Sequence, residues 1–200
     1  MKQFFEFAYK LLKGEKDFTD INYQALFKPA LIFLGIHIAV LSLIKGYIDA
    51  KTYNLFSNSI DFGKFISGSL SGVLLYAIGW GVFLGIIFVF YKLNKQDVTV
   101  QKVVVHGGFI SIVVLAITIM FLLLKDVRGI GTALSRGAIF FPYLYIFLLF
   151  ISESNVNKMK TFWYVNIAVL ISSVIFALIG AHPFSVAIIN SLTDLLRSLF

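Results

Sequence analysis

Three histidines, His37, His106 and His182, carry most of the chemistry this chain could do near neutral pH. Imidazole changes charge in that range and is a common metal ligand. A three-His zinc centre would need all of them together. His37 and His106 stand a short way into long apolar stretches, whereas His182 ends the fifth expected span, at the opposite membrane surface. No shared metal centre is therefore expected. His37 and His106 remain as a pair that could form an intramembrane polar site, holding a proton or a ligand. The alternative is that each donates one hydrogen bond inside a bundle. Cysteine, the other strong nucleophile and soft ligand, is absent. An intramembrane serine protease would use Gly-x-Ser-Gly with a later histidine. Ser69-Leu70-Ser71-Gly72 is close, but its first position is serine. No His-Glu-x-x-His, Glu pair or Asp dyad occurs. The expectation is no enzyme and no cofactor. A transport path would need polar groups or broken helices within the membrane. The chain offers only Ser42, Ser111, Thr118, Asn166, Ser172, Ser173 and a kink at Pro142.

These residues have to be positioned by elements that live in lipid. Five stretches lack Asp, Glu, Lys and Arg: 29–44, 65–91, 103–124, 137–152 and 161–193. A charge at the centre of a bilayer costs a few kcal/mol or more, and about 20 apolar residues cross one. With 59% apolar residues and 14% charged ones, 200 residues could not bury their apolar surface as a water-soluble protein. The reading is an all-α polytopic membrane bundle. Its five transmembrane helices cover about 29–48, 67–91, 103–124, 134–151 and 162–179, forming a domain over 29–180. Pro29 suits the first turn of the first span. Asp97 or Thr99 suits a cap ahead of the third, and Trp163 and Tyr164 suit interfacial anchors on the fifth.

Both termini read as amphipathic interfacial helices. In the segment 1–28, Phe4, Phe5, Ala8, Leu11 and Leu12 are expected on one face of a helix over 1–13, with Lys2, Gln3, Glu6, Lys10 and Lys13 on the other. Gly14 is its expected stop. A second short helix, capped by Asp20, is expected over Asp20–Phe27. Residues 181–200 form the C-terminal segment. Gly180-Ala181-His182-Pro183 breaks the last apolar stretch, and Asp194 and Arg197 handicap a sixth span. The first 28 residues contain four acidic side chains and no apolar core of signal-peptide length. Ten basic residues fall on the N-terminal side of the membrane and seven on the other. The positive-inside rule then places the N-terminus in the cytoplasm and the C-terminus outside. The net charge of +7 suits anionic headgroups. The basic residues are too dispersed for a nucleic-acid surface.

The second span is glycine-rich. At about 100° per residue, Gly68, Gly72 and Gly79 share one face, while Gly81 and Gly85 share nearly the opposite one. Small residues four apart let backbones approach in lipid. Two smooth faces imply neighbours on two sides, making this span the central helix.

Residues Trp80 to Phe121 carry a family likeness. A span ending Phe90-Tyr91-Lys92-Leu93 runs into the polar turn Asn94-Lys95-Gln96-Asp97. Val98-Thr99-Val100-Gln101-Lys102-Val103 then enters the next span. This pattern, with the order of parts, resembles the bacterial branch of the Yip-type family of five-span membrane proteins. The turn lacks the family's frequent glycine, and Gly107-Gly108 stands near where a proline is common. The resemblance implies membrane organisation without catalytic residues. The functional expectation is a non-enzymatic plasma-membrane scaffold or accessory subunit of a larger membrane complex, in contact with lipids. The alternative is a transport component or a permease subunit binding a small or lipidic ligand.

Overall fold

The computed structural model describes residues 2–13, 21–53, 60–94, 96–124, 130–152 and 158–179. Its helices are α1 (Lys2–Leu12), α2 (Tyr23–Tyr53), α3 (Phe62–Leu93), α4 (Val100–Leu124), α5 (Ile130–Ser152) and α6 (Lys158–Ile179). In hydrocarbon a backbone must satisfy its own polar groups, and one segment alone does so as a helix. Among the described residues, α2, α3, α4 and α6 are long and apolar enough to cross a bilayer. The apolar part of α5, Arg136–Ile151, is shorter. Its rise of about 24 Å falls somewhat below a hydrocarbon core of about 30 Å. The expected stop at Gly14, the cap at Asp20, the break at 180–183 and the C-terminal amphipathic helix lie outside the described residues.

Local side chains set several helix ends. Asn22 Oδ1 accepts the Ala25 N–H at 3.1 Å, so α2 begins at Tyr23 and continues unbroken past Pro29. This corrects two expectations: there is no separate helix ending at Phe27, and Pro29 is not in a first turn. Proline removes one backbone donor, and the turns around it are held by burial of Leu26, Ala30 and Phe33. Asp61 caps α3 by accepting the Lys64 N–H at 3.0 Å. Of the two residues expected ahead of the third span, Thr99 is the cap, accepting the Lys102 N–H at 3.2 Å. At the end of α3 the Asn94 side-chain amide donates to the Phe90 carbonyl at 3.0 Å.

Contacts fix the helix directions. Gly46 meets Ser69, Ser42 meets Gly72 and His37 meets Trp80, so α2 and α3 run antiparallel. Tyr23 meets His106 and Ala30 meets Gly108, so α2 and α4 run parallel. Phe83 packs on Tyr143 and Tyr91 on Phe150, so α3 and α5 run parallel. α6 closes against both, through Phe90–Tyr164 and Tyr143–Ser172. The starts of α2, α4 and α6 thus gather with the ends of α3 and α5.

The most enclosed helix is α4, not α3. Every residue from 103 to 111 is buried. A Cβ on Gly108 would stand 2.6 Å from both Cα and Cβ of Ala30. On the seam between α2 and α3, Gly68, Gly72 and Gly79 are buried. A Cβ on Gly72 would stand 2.9 Å from the Ser42 Cα. The second glycine face of α3 is different: Gly81 and Gly85 are exposed, with nothing among the described residues within 4 Å of where a Cβ would be. That corrects the expectation of neighbours on both faces. α2 already fills one side of α3, and Gly81 and Gly85 are turned away from the bundle.

α1 also divides differently from its sequence reading. Phe4, Phe7 and Ala8 are buried, and Phe4 stacks on Phe33 of α2 at 5.4 Å. Phe5 and Leu12, expected on the same face, are exposed. The apolar arc of α1 is wider than a single neighbouring helix can cover.

Candidate functional site

His106 is placed by the first turns of α4, the segment that Gly107 and Gly108 allow to lie against its neighbours. A Cβ on Gly107 would meet Leu84 Cδ2 at 2.5 Å, as the one on Gly108 would meet Ala30. With α2 so close, the Tyr23 hydroxyl comes within 3.3 Å of His106 Nε2. On the other side the Tyr145 hydroxyl of α5 lies 2.7 Å from Nδ1. The imidazole, fully buried, thus bridges two phenols on two helices. A neutral ring has one N–H and one bare nitrogen. It donates to one tyrosine and accepts from the other. Chemically the arrangement can do two things: tie α2, α4 and α5 together, or relay a proton along Tyr23–His106–Tyr145. Lys102, one turn earlier, places its ammonium 4.1 Å from the Tyr91 ring centroid and 6.0 Å from that of Tyr23.

His37 has different surroundings. It is buried in the seam between α2 and α3, with its ring edge-on to Trp80 at 5.4 Å. Among the described residues neither ring nitrogen has a hydrogen-bond partner. One turn along the seam, Leu41 and Tyr76 are fully buried together, and the Tyr76 hydroxyl also lacks a partner. His37 faces α3, whereas His106 is engaged by α2 and α5, so the two rings have separate partners. Among the described residues no group of three His, Cys, Asp or Glu side chains could hold a metal ion.

Six other polar side chains of the spans share one habit, whereas the buried hydroxyls of Ser69 and Thr161 find no partner among the described residues. Ser42 Oγ donates to the Ile38 carbonyl at 2.6 Å, Ser111 to Gly108 at 2.7 Å and Thr118 to Val114 at 2.8 Å. Asn166 donates to Phe162 at 2.8 Å and Ser173 to Val169 at 2.6 Å. Ser172 lies 2.6 Å from the Tyr143 hydroxyl and 3.1 Å from the Val169 carbonyl. Hydroxyls in helices commonly bond one turn back in this way. Pro142 is buried within α5, which continues as helix on both sides of it.

Sequence reasoning found both histidines but missed the partners that define their surroundings, Tyr23, Tyr145 and Trp80. It also missed the α2 side of the glycine seam, Ser42 and Gly46. The one readable signal was the Gly107-Gly108 pair directly after His106, which marks a backbone approach at the point where the imidazole must find partners. No family model, curated protein or solved structure matches this chain.

Proposed function

We propose that this protein is a non-enzymatic, multi-pass scaffold or accessory subunit of a plasma-membrane complex. In this reading α5 is a fifth span, the N-terminus is cytoplasmic with α1 at the interface, and the C-terminus is outside. The observation that carries the reading is the fate of the polar side chains. Each of the six that a transport path would recruit is bonded to a carbonyl of its own helix, one turn back. Such groups are spent on local satisfaction, as hydrocarbon demands, and present little to a permeating solute. The buried polar groups that join helices do so as fixed links: His106 holds three of them together, and Tyr143 with Ser172 ties α5 to α6. The span-and-turn likeness of residues 80–121 to the bacterial Yip-type branch agrees.

Affinity purification of the full chain in mild detergent, followed by mass spectrometry, tests the role. A stoichiometric membrane-protein partner is expected. A lone protein that carries ions or solutes across liposome membranes would overturn the reading. Reporter fusions after residues 53, 94, 124, 152 and 200 test the topology, and a cytoplasmic C-terminus would eliminate the odd span count.

A further inference from the structure

α1 has three sectors rather than two faces. At about 100° per residue, Phe4, Phe7 and Ala8 occupy an arc of about 100°. They are 0%, 6% and 5% exposed, turned onto the bundle. Phe5, Tyr9 and Leu12 occupy a separate arc of about 60°, and they are 50%, 58% and 64% exposed. Lys2, Gln3, Glu6, Lys10 and Lys13 fill the rest, all exposed. A helix in water needs no second apolar stripe, and one buried in a bundle needs no polar arc. Bundle, acyl chains and water, taken in that order around the helix, account for all three sectors.

The lysines placed around α1 identify what the stripe meets. Among the described residues α1 contributes Lys2, Lys10 and Lys13, and Lys28, Lys92, Lys102, Lys158 and Lys160 stand at the helix ends gathered beside it. Over the full sequence the segments at this end, 1–28, 92–102 and 152–160, hold ten basic residues against six acidic ones, a net +4, and the opposite end seven against four, a net +3, so it is the placement of these lysines and not the overall charge that sets this end apart. Four lysines at the α1 end lie over aromatic rings: Lys13 on Tyr9 at 4.6 Å, Lys102 on Tyr91, Lys160 on Tyr164 and Lys92 on Phe88. Ammonium groups level with such rings mark the headgroup plane. Depth agrees as well. Phe33, where α1 docks, is five residues beyond Lys28 on α2. That is about 7.5 Å along the axis, within the roughly 5–10 Å by which an in-plane helix buries its apolar face.

We propose that α1 and the lysine-rich helix ends beside it form a binding surface for an anionic phospholipid leaflet. Phe5, Tyr9 and Leu12 enter the acyl region, and Lys2, Lys10 and Lys13 take the phosphates. The proposal rests on the membrane-spanning reading above but not on the scaffold role or on the number of spans. Because the chain has no cysteine, single cysteines at residues 2 to 13 can carry a spin label in the full-length protein. The host is a nanodisc of phosphatidylcholine and phosphatidylglycerol in equal parts. Labels at 5, 9 and 12 should be accessible to oxygen, and labels at 2, 6 and 13 to a water-soluble nickel complex. Nickel access at 5, 9 and 12 overturns the proposal, as does shielding from both probes, which would mean a protein cover. Separately, the lipid retained from that mixture is read by native mass spectrometry. Phosphatidylglycerol enrichment should fall about fivefold for each of Lys2→Gln, Lys10→Gln and Lys13→Gln, while Lys51→Gln with Lys64→Gln should leave it unchanged. No loss in the triple variant, or equal loss in both sets, refutes the assignment. Topology fusions read the span count independently of either result.

Discussion

Substituting Gly108 by alanine tests the packing of α4 against the backbone of α2. The new Cβ would sit 2.6 Å from the Cα and Cβ of Ala30 and 3.0 Å from its carbonyl oxygen. None of these atoms can swing aside as the tip of a long side chain could. Ordinary carbon–carbon contact begins near 3.5 Å, so α2 and α4 must separate locally by about 0.9 Å or twist by an equivalent amount. Overpacking of this kind typically costs about 1–3 kcal/mol. The cost has a second source, because separation lengthens the Tyr23–His106 hydrogen bond, which is already 3.3 Å. The upper half of that range is therefore expected for Gly108→Ala. Thermal unfolding of the purified protein in one detergent, against wild type, measures it. Gly81→Ala and Gly85→Ala are the controls: nothing lies within 4 Å of either new methyl group, and no loss is expected. Adding Ala30→Gly should rescue only partly, since it removes the Cβ contact and leaves the equally close Cα. Because part of the cost runs through Tyr23, Gly108→Ala and Tyr23→Phe should be less destabilising together than the sum of their separate effects. A Gly108→Ala protein that melts with wild type, or controls that melt as low as it does, would refute the account of α2 and α4.

Hydrogen bonds between membrane helices average about 0.6 kcal/mol and reach about 1.7. Tyr145→Phe, which removes the partner at 2.7 Å, should sit near the top of that range and above Tyr23→Phe, whose partner is at 3.3 Å; the reverse order in melting temperature would contradict the assigned geometry. His37→Leu removes two buried nitrogens without partners and one edge contact to Trp80. It should be neutral or stabilising by up to about 2 kcal/mol, and a clear drop in melting temperature would mean that the ring holds something. In a double-mutant cycle, Tyr143→Phe and Ser172→Ala should couple by about 0.5–1 kcal/mol across the 2.6 Å contact of α5 with α6. Additive losses would place the two hydroxyls apart.

Helix existence was legible because hydrocarbon imposes one rule, charge exclusion over a span, and the chain obeys it along each long apolar run. The helix ends were less legible. Pro29 reads as a start, but burial around it outweighs one missing donor and the start moves back to Tyr23. The glycines of α3 show the limit of periodicity. Gly68–Gly72 and Gly81–Gly85 have the same spacing and the same chemistry, yet one pair is buried against α2 and the other faces outward. Periodicity says which residues share a face and nothing about which face finds a neighbour. That information sits on the partner helix, in Ser42 and Gly46. The candidate site was half legible for the same reason: His106 is conspicuous in an apolar span, but Tyr23 and Tyr145 are ordinary tyrosines until the helices meet.

The two histidines show how burial alone misleads about function. Both are 0% exposed, and both lie in apolar helices. His106 is engaged at each nitrogen by a phenol from a different helix, so removing the ring would cut the polar links of α4 to both α2 and α5. A group built for repeated proton transfer is better served by a mobile or hydrated partner than by two packed tyrosines. The His106 network is therefore best understood as a hydrogen-bonded joint placed where Gly107 and Gly108 bring the backbones close enough for short reaches. His37, with neither nitrogen bonded, is the less stable arrangement and the more informative one. Hydrocarbon gives an imidazole no reason to stay where leucine would pack. The comparison of His37→Leu with substitution at His106 thus separates a joint, which must weaken when cut, from a ring whose worth lies outside the packing of the bundle.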